Sequence, residues 1–281
     1  KYIIMNLGYA CINMTLSSQK PKVTTNRSMI KRTFEEKGID YAGELGLQNS
    51  ADLIKILKWN KENNVNVFRL SSEFFPWASE YKFEDLPQYL RIKTLLAGCG
   101  HYAQRNGIRL TCHPGPFNVL TSPHEHVVQN TLTDLRIHGE IFDMMGLERT
   151  PYNKINIHCN GVYGDKQSAM DRFCKNFERL PNSVKHRLTV ENDDKASMYS
   201  VKDLMYIHER IGIPIVFDYH HHKFCTGDLT EQEALELAIS TWPEDIKPIV
   251  HYSESKSLHE GNEKVKPQAH SDYINELPNL Y

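Results

Sequence analysis

The stretch Ile215-Val216-Phe217-Asp218-Tyr219-His220-His221-His222 runs an apolar strand directly into one acid and three imidazoles. A core strand has no packing reason to end that way. Asp218 and, three residues on, His221 offer a hard oxygen and a borderline nitrogen, a donor mixture suited to Mn, Fe or Zn. The competing reading is a solvated loop with incidental histidines, and the remaining strand ends decide between the two.

Working outward, strands are predicted at Tyr2–Leu7, Val67–Leu70, Ile108–Cys112, Lys154–Ile157, His186–Val190, Ile215 onward and Pro248–Val250. Helices fall between them: one capped by Asn49 or Ser50 with Asp52, then Leu86–Arg105, His124–Met145, Lys166–Arg179, Val201–Ile211, and one opening at Thr230 with Glu233 in capping-box spacing. Asn106-Gly107, Gly146 and Gly212 supply stop signals. The strand runs are continuously apolar, which fits a parallel sheet covered on both faces. Seven β/α units without a glycine fingerprint after the first strand predict a (β/α)8 TIM barrel rather than a dinucleotide-binding sheet, and no nucleotide cofactor. The eighth strand is missing from this sequence, so residues 1–281 read as one barrel domain truncated at its C-terminus. Ser253–Pro267 reads as an elaborated loop.

Composition is that of a globular protein: 40% hydrophobic and 24% charged over 281 residues, net charge −2. No apolar run reaches membrane-spanning length, and no signal peptide is evident, so an intracellular, monomeric protein with reduced thiols is expected. Six cysteines are scattered without a C-x-x-C pair. The near-neutral charge leaves any polyanion to be met locally, and Met14–Phe34, which lacks acids but holds Lys20, Lys22, Arg27, Lys31 and Arg32, is the candidate patch.

The strand ends carry the chemistry. His113, His158, Glu191, Asp218 and His251 stand after five consecutive predicted strands, where a barrel gathers its reacting groups. With His221 and His270 the ligand types number seven, more than one tetrahedral zinc uses, so two or three metals are expected. Clustered divalent ions suit hydrolysis of a phosphodiester, and sugar isomerisation on one or two ions is the other reaction this architecture suggests.

The chain resembles the UV damage endonuclease family, related in architecture to endonuclease IV and xylose isomerase. The resemblance rests on Leu7-Gly8-Tyr9 with Asn13, Thr25-Asn26-Arg27, Phe68-Arg69 with Pro76 and Ala78-Ser79, His113-Pro114-Gly115, His158 with Tyr163-Gly164, Glu191-Asn192-Asp193, Asp218 with His221-His222, and His270. It implies a DNA repair nuclease that cuts duplex DNA on the 5′ side of a UV photoproduct, with Mn2+, or Mg2+, Zn2+ or Co2+, as cofactor. It also implies one metal on His113, His158 and Glu191, a second bridged by Glu191 with Asp218 and His251, and a third on His221 and His270. Glu191, Asp218 and His251 would be catalytic. Tyr9, Asn13, Arg27, Pro116 and Phe117 would meet DNA or the lesion, with burial of Tyr9 as ordinary core the alternative. His222 would support the ligands and His220 would be structural. Where the family often has Gln-Tyr, this chain has Pro116-Phe117; Ile249 and Glu73 replace a lysine and a histidine that some relatives carry. The alternatives to a repair nuclease are a sugar isomerase or epimerase, or a damage-binding protein without catalysis.

Overall fold

The computed structural model describes residues 5–281. In chain order these form β1 (Gly8–Ala10), α1 (Met14–Ser17), α2 (Lys31–Glu62), β2 (Val67–Leu70), α3 (Tyr89–Arg105), β3 (Arg109–Cys112), α4 (Glu125–Met144), β4 (Ile155–His158), α5 (Lys166–Phe177), α6 (Asn182–Lys185), β5 (Leu188–Glu191), α7 (Val201–Ile211), β6 (Ile215–Val216), α8 (Tyr219–His222), α9 (Glu231–Ser240) and α10 (Lys256–Glu260). Spatial strand order equals sequence order, β1 through β6. The pairs in register, such as Phe68 with Leu110 and Val190 with Ile215, are parallel. An open doubly wound sheet reverses its strand order partway, whereas a TIM barrel winds in one direction, and this chain is of the TIM-barrel class.

Contacts group the chain into two compact units. The first holds the described residues up to Gly115 with Leu132–Ile155 and Pro181–Arg187; the second holds Pro116–Thr131, Asn156–Leu180 and Leu188–Tyr281. In the first, Phe68 and Leu110 from the sheet are buried, as are Leu53, Ile56 and Leu57 of α2 and Leu96 of α3. Arg187 is wholly buried there, donating to Asp143 and to the carbonyls of Glu148, Gly139, Ser183 and Leu147. A buried guanidinium is tolerated only when its donors are answered in this way. In the second unit, Ile157, Val190 and Val216 pack with Phe173 of α5, Leu204 and Ile207 of α7, and Ala234 of α9 as the apolar core.

Three predicted elements differ. The first strand among the described residues is Gly8–Ala10; of the predicted Tyr2–Leu7, residues 2–4 lie outside the described residues and Met5–Leu7 are not in a strand. Pairing begins at Gly8 opposite Val67, where any Cβ would lie 2.5 Å from the Val67 side chain and carbonyl, a contact only glycine permits. Asn49, Ser50 and Asp52 do not begin a helix but lie buried within α2, which opens at Lys31 and kinks at Gly38, where φ is +65°. Asn49 and Asp52 answer tertiary partners instead, Asn49 donating to the Phe74 carbonyl and Asp52 accepting from Thr24 and Arg27, while Ser50 donates back to the Gly46 carbonyl one turn earlier in α2. Pro248–Val250 forms no strand. The predicted seventh strand contracts to an isolated parallel bridge between Asp218 and His251, closed by His251 N to the Phe217 carbonyl at 2.9 Å and Tyr219 N to the His251 carbonyl at 3.0 Å.

Local signals otherwise hold. Thr230 and Glu233 form the expected capping box of α9, Ser200 and Asp203 form another on α7, and Gly212 ends α7 in the left-handed conformation at φ +71°.

Candidate metal centre

Three of the ligand types, Glu191, His158 and Asp218, stand at or just after strand ends, on residues of the second unit. Glu191 is the last residue of β5, His158 the last of β4, and Asp218 stands two residues after β6. Asp218 is also the N-cap of α8: its Oδ1 accepts from the His221 backbone N–H at 2.9 Å, and this single turn carries His221 back toward the carboxylates. The Asn192 side chain grips the Asp218 backbone from both sides, accepting from its N–H at 2.8 Å and donating to its carbonyl at 3.0 Å.

Glu191 is the hub. It is 1% exposed, with His251 Nδ1 at 3.1 Å, His221 Nδ1 at 3.5 Å and His158 Nε2 at 3.8 Å from its oxygens. Asp218, 2% exposed, has Oδ2 3.8 Å from His221 Nε2, and Glu191, Asp218 and His221 can turn one donor each toward a common point. His270 Nε2 lies 3.2 Å from His221 Nε2, too close for two N–H groups, so at least one must present a lone pair.

Carboxylates and imidazoles buried together shift one another's protonation. Burial, then the neighbouring Glu191 charge, pushes Asp218 up to about 7. Burial opposes protonation of His158, but Glu191 and then Asp193 outweigh it and raise the imidazole to about 9. His270 falls to about 4, through burial and then the charges of His221 and His220. Two buried carboxylates among imidazoles resist ionising together, and a divalent cation removes that conflict, so the donor set fits Mn2+, Fe2+ or Zn2+.

The other predicted residues are placed as follows. His113 follows β3 in the first unit, its Nδ1 3.2 Å from the Pro114 carbonyl oxygen. Tyr9 is half-buried, its ring against Trp59 and Phe68, its hydroxyl donating to Asn60 at 2.6 Å and accepting from Asn13 at 2.8 Å. Asn13 is buried and caps α1. Arg27 braces its own loop, reaching Asp52 at 2.6 Å and the carbonyls of Thr24 and Lys22. Lys31 and Arg32 sit on α2, each spaced to pair with an acid one turn on, Glu35 and Glu36. Pro116 is exposed and the Phe117 ring is 62% exposed. His220 Nε2 donates to the Gln268 carbonyl at 3.1 Å, and His222 packs on Phe217.

Residue-by-residue reading left Asn156, Asn192 and Asp193 without roles. Asn156 donates to Glu191 and accepts from Thr189, and Asp193 Oδ1 lies 3.0 Å from His158 Nδ1. Strand periodicity could have found the first, since Asn156 and His158 share one face of β4.

A buried carboxylate–imidazole cluster at the strand ends of a TIM-barrel sheet defines a candidate divalent-metal protein. More narrowly, residues 5–281 match the family model UV-endonuclease UvdE, and the chain belongs to that family. It is 36% identical to the UV-damage endonuclease of Schizosaccharomyces pombe, over 97% of this chain and 46% of that protein. It is 32% identical to the UV DNA damage endonuclease of Bacillus cereus strain Q1, over 97% of this chain and 83% of that one. Against the fungal relatives, from S. pombe and Neurospora crassa, the chain spans about half their length. The crystal structure of SacUVDE superposes with a TM-score of 0.83 at 32% identity, covering 97% of this chain and 86% of that one. D-psicose 3-epimerase from Clostridium cellulolyticum H10, at 13% identity and a TM-score of 0.50 over 71% of this chain and 67% of that one, shares the fold alone. No helix among the described residues is long and apolar enough to cross a membrane.

Proposed function

We propose that this chain is a divalent-metal-dependent endonuclease of DNA repair that recognises UV photoproducts in duplex DNA and hydrolyses the phosphodiester on their 5′ side. The observation that carries this reading is Glu191, buried at the end of β5 with three imidazoles within 3.8 Å and Asp218 in the same cluster. Family membership supplies the substrate class.

In this reading His158, Glu191, Asp218 and His251 would hold two ions, His221 and His270 would hold a further one, and His113 would be the remaining ligand that the family resemblance implies. Bound divalent ions, Mn2+ first among them, would supply charge to the scissile phosphate and acidity to the attacking water. The chain's own work is positional. Asn192 holds the Asp218 backbone, the N-cap bond aims the carboxylate, and Asn156 and Asp193 orient Glu191 and His158. Phe117, exposed on a loop of the second unit, can fill the gap left in the base stack when damaged bases leave it, an exchange made easier by a lesion that already weakens stacking.

The test is nicking of a UV-irradiated, end-labelled duplex with Mn2+, beside the same duplex unirradiated. Cutting confined to the 5′ side of photoproducts is expected. Equal cutting of undamaged DNA would sink the lesion-specific reading, and binding without cutting would remove the catalytic one.

A further inference from the structure

Asn160 lies two residues past His158 and holds a left-handed backbone, φ +62°, that asparagine tolerates better than most residues. Its Nδ2 donates to the carbonyl of Pro116 at 3.2 Å and to that of Asn118 at 3.1 Å. Those two carbonyls flank Phe117. A carboxamide nitrogen has two hydrogens and each finds one carbonyl, so the side chain clips the backbone on both sides of the exposed ring.

Further bonds hold the same loop from behind. Thr121 Oγ1 donates to the Cys159 carbonyl at 2.9 Å, Arg172 Nε to the Thr121 carbonyl at 2.6 Å, and Asn176 Nδ2 to the Leu120 carbonyl at 2.9 Å. Asn118, Leu120 and Thr121 are fully buried. The loop therefore has a fixed base, and Phe117 is the large apolar side chain it leaves exposed.

An exposed ring that must enter a base stack loses effect if its loop has to be ordered at the moment of binding. We propose that Asn160 is a positioning residue for lesion recognition: by clipping the carbonyls on either side of Phe117 to the loop after His158, it holds the ring at a set place relative to that histidine. This rests on the function proposed above, in which Phe117 meets damaged DNA. Asn160 then controls discrimination between damaged and undamaged duplex more than the cleavage step.

A double-mutant cycle tests it, with the full chain, Mn2+, and irradiated or unirradiated end-labelled duplex. Asn160→Gly removes both donors while suiting the left-handed backbone. Loss of two hydrogen bonds, each with a net effect of roughly fivefold, is expected to lower the irradiated-to-unirradiated kcat/KM ratio at least tenfold, through KM rather than kcat. In a Phe117→Ala background the same change should cost less than twofold, because the ring it positions is gone. Equal losses in both backgrounds would mean a general structural role and overturn the inference, as would an undiminished ratio in Asn160→Gly. Should that variant fold poorly by circular dichroism, Asn160→Asp, of the same size without the amide donors, completes the cycle. A wild-type chain indifferent to irradiation is a separate outcome that strikes the proposed function itself.

Discussion

Replacing Asp218 by Asn should make the metal-free protein more stable while abolishing its response to metal. Asn keeps the shape, and its side-chain oxygen can still accept from His221 N and cap α8. It removes a carboxylate whose ionised form is disfavoured by burial and then by Glu191, with its pKa raised from 3.8 to about 7. A folded-state value above the unfolded one means a contribution to stability that is full below pH 3.8 and is lost as pH rises through about 7. At pH 8 that loss approaches roughly 4 kcal/mol, from three pKa units at about 1.4 kcal/mol each. For a chain of this size a few kcal/mol correspond to roughly 5–10 °C. Thermal melts in EDTA at pH 8 should therefore show Asp218→Asn melting several degrees above wild type, with the difference shrinking toward pH 4. With Mn2+ added, wild type should rise and the variant far less, and the variant should not nick irradiated duplex. A variant that melts below wild type in EDTA, or responds equally to Mn2+, would refute both the buried-charge argument and the place of Asp218 in the site.

Further outcomes follow from the same geometry. Because His158 titrates near 9 without metal, its ordinary 6.5 raised by Glu191 and Asp193 against burial, it is protonated at neutral pH and must release that proton to bind an ion. Mn2+ affinity measured by calorimetry should therefore rise between pH 6 and 9, with proton release; a flat profile would place His158 outside the ligand set. Its contribution to metal-free stability, full below pH 6.5, should fade toward pH 9. Phe117→Ala should weaken binding of irradiated duplex about tenfold or more, the usual worth of one stacked base, with little change on undamaged DNA in gel-shift titrations; equal weakening of both would count against a wedge. Arg187→Met leaves Asp143 with Arg149 and deprives four carbonyls of their donor, so chemical denaturation should show a loss of about 3 kcal/mol, whereas nicking per folded molecule at low temperature should be unchanged.

Much of this protein can be read from the chain because the signals are local. Continuous apolar runs that end in His158, Glu191 and Asp218, helices that stop at Gly212, and the Thr230–Glu233 box each depend on residues a few positions apart. Side-chain period and capping chemistry suffice for them. The same locality misleads at Asn49–Asp52, where a cap-like trio proves to be buried within a long helix, because Asn49 and Asp52 answer Phe74, Thr24 and Arg27 far away in the sequence instead of capping a helix start. The kink at Gly38 and the contraction of Pro248–Val250 to one bridge likewise depend on what packs alongside.

Which imidazole faces which carboxylate was decided only by the tertiary structure. His158, Glu191, His221 and His251 are dozens of residues apart, and a Coulombic preference among them exists only after folding has removed water and brought them within 4 Å. So too with Asn160, which in the sequence is one polar residue in a loop and in the fold holds both carbonyls beside Phe117. Residue type determined that this chain could hold metal; distance and burial determined which residues share Glu191.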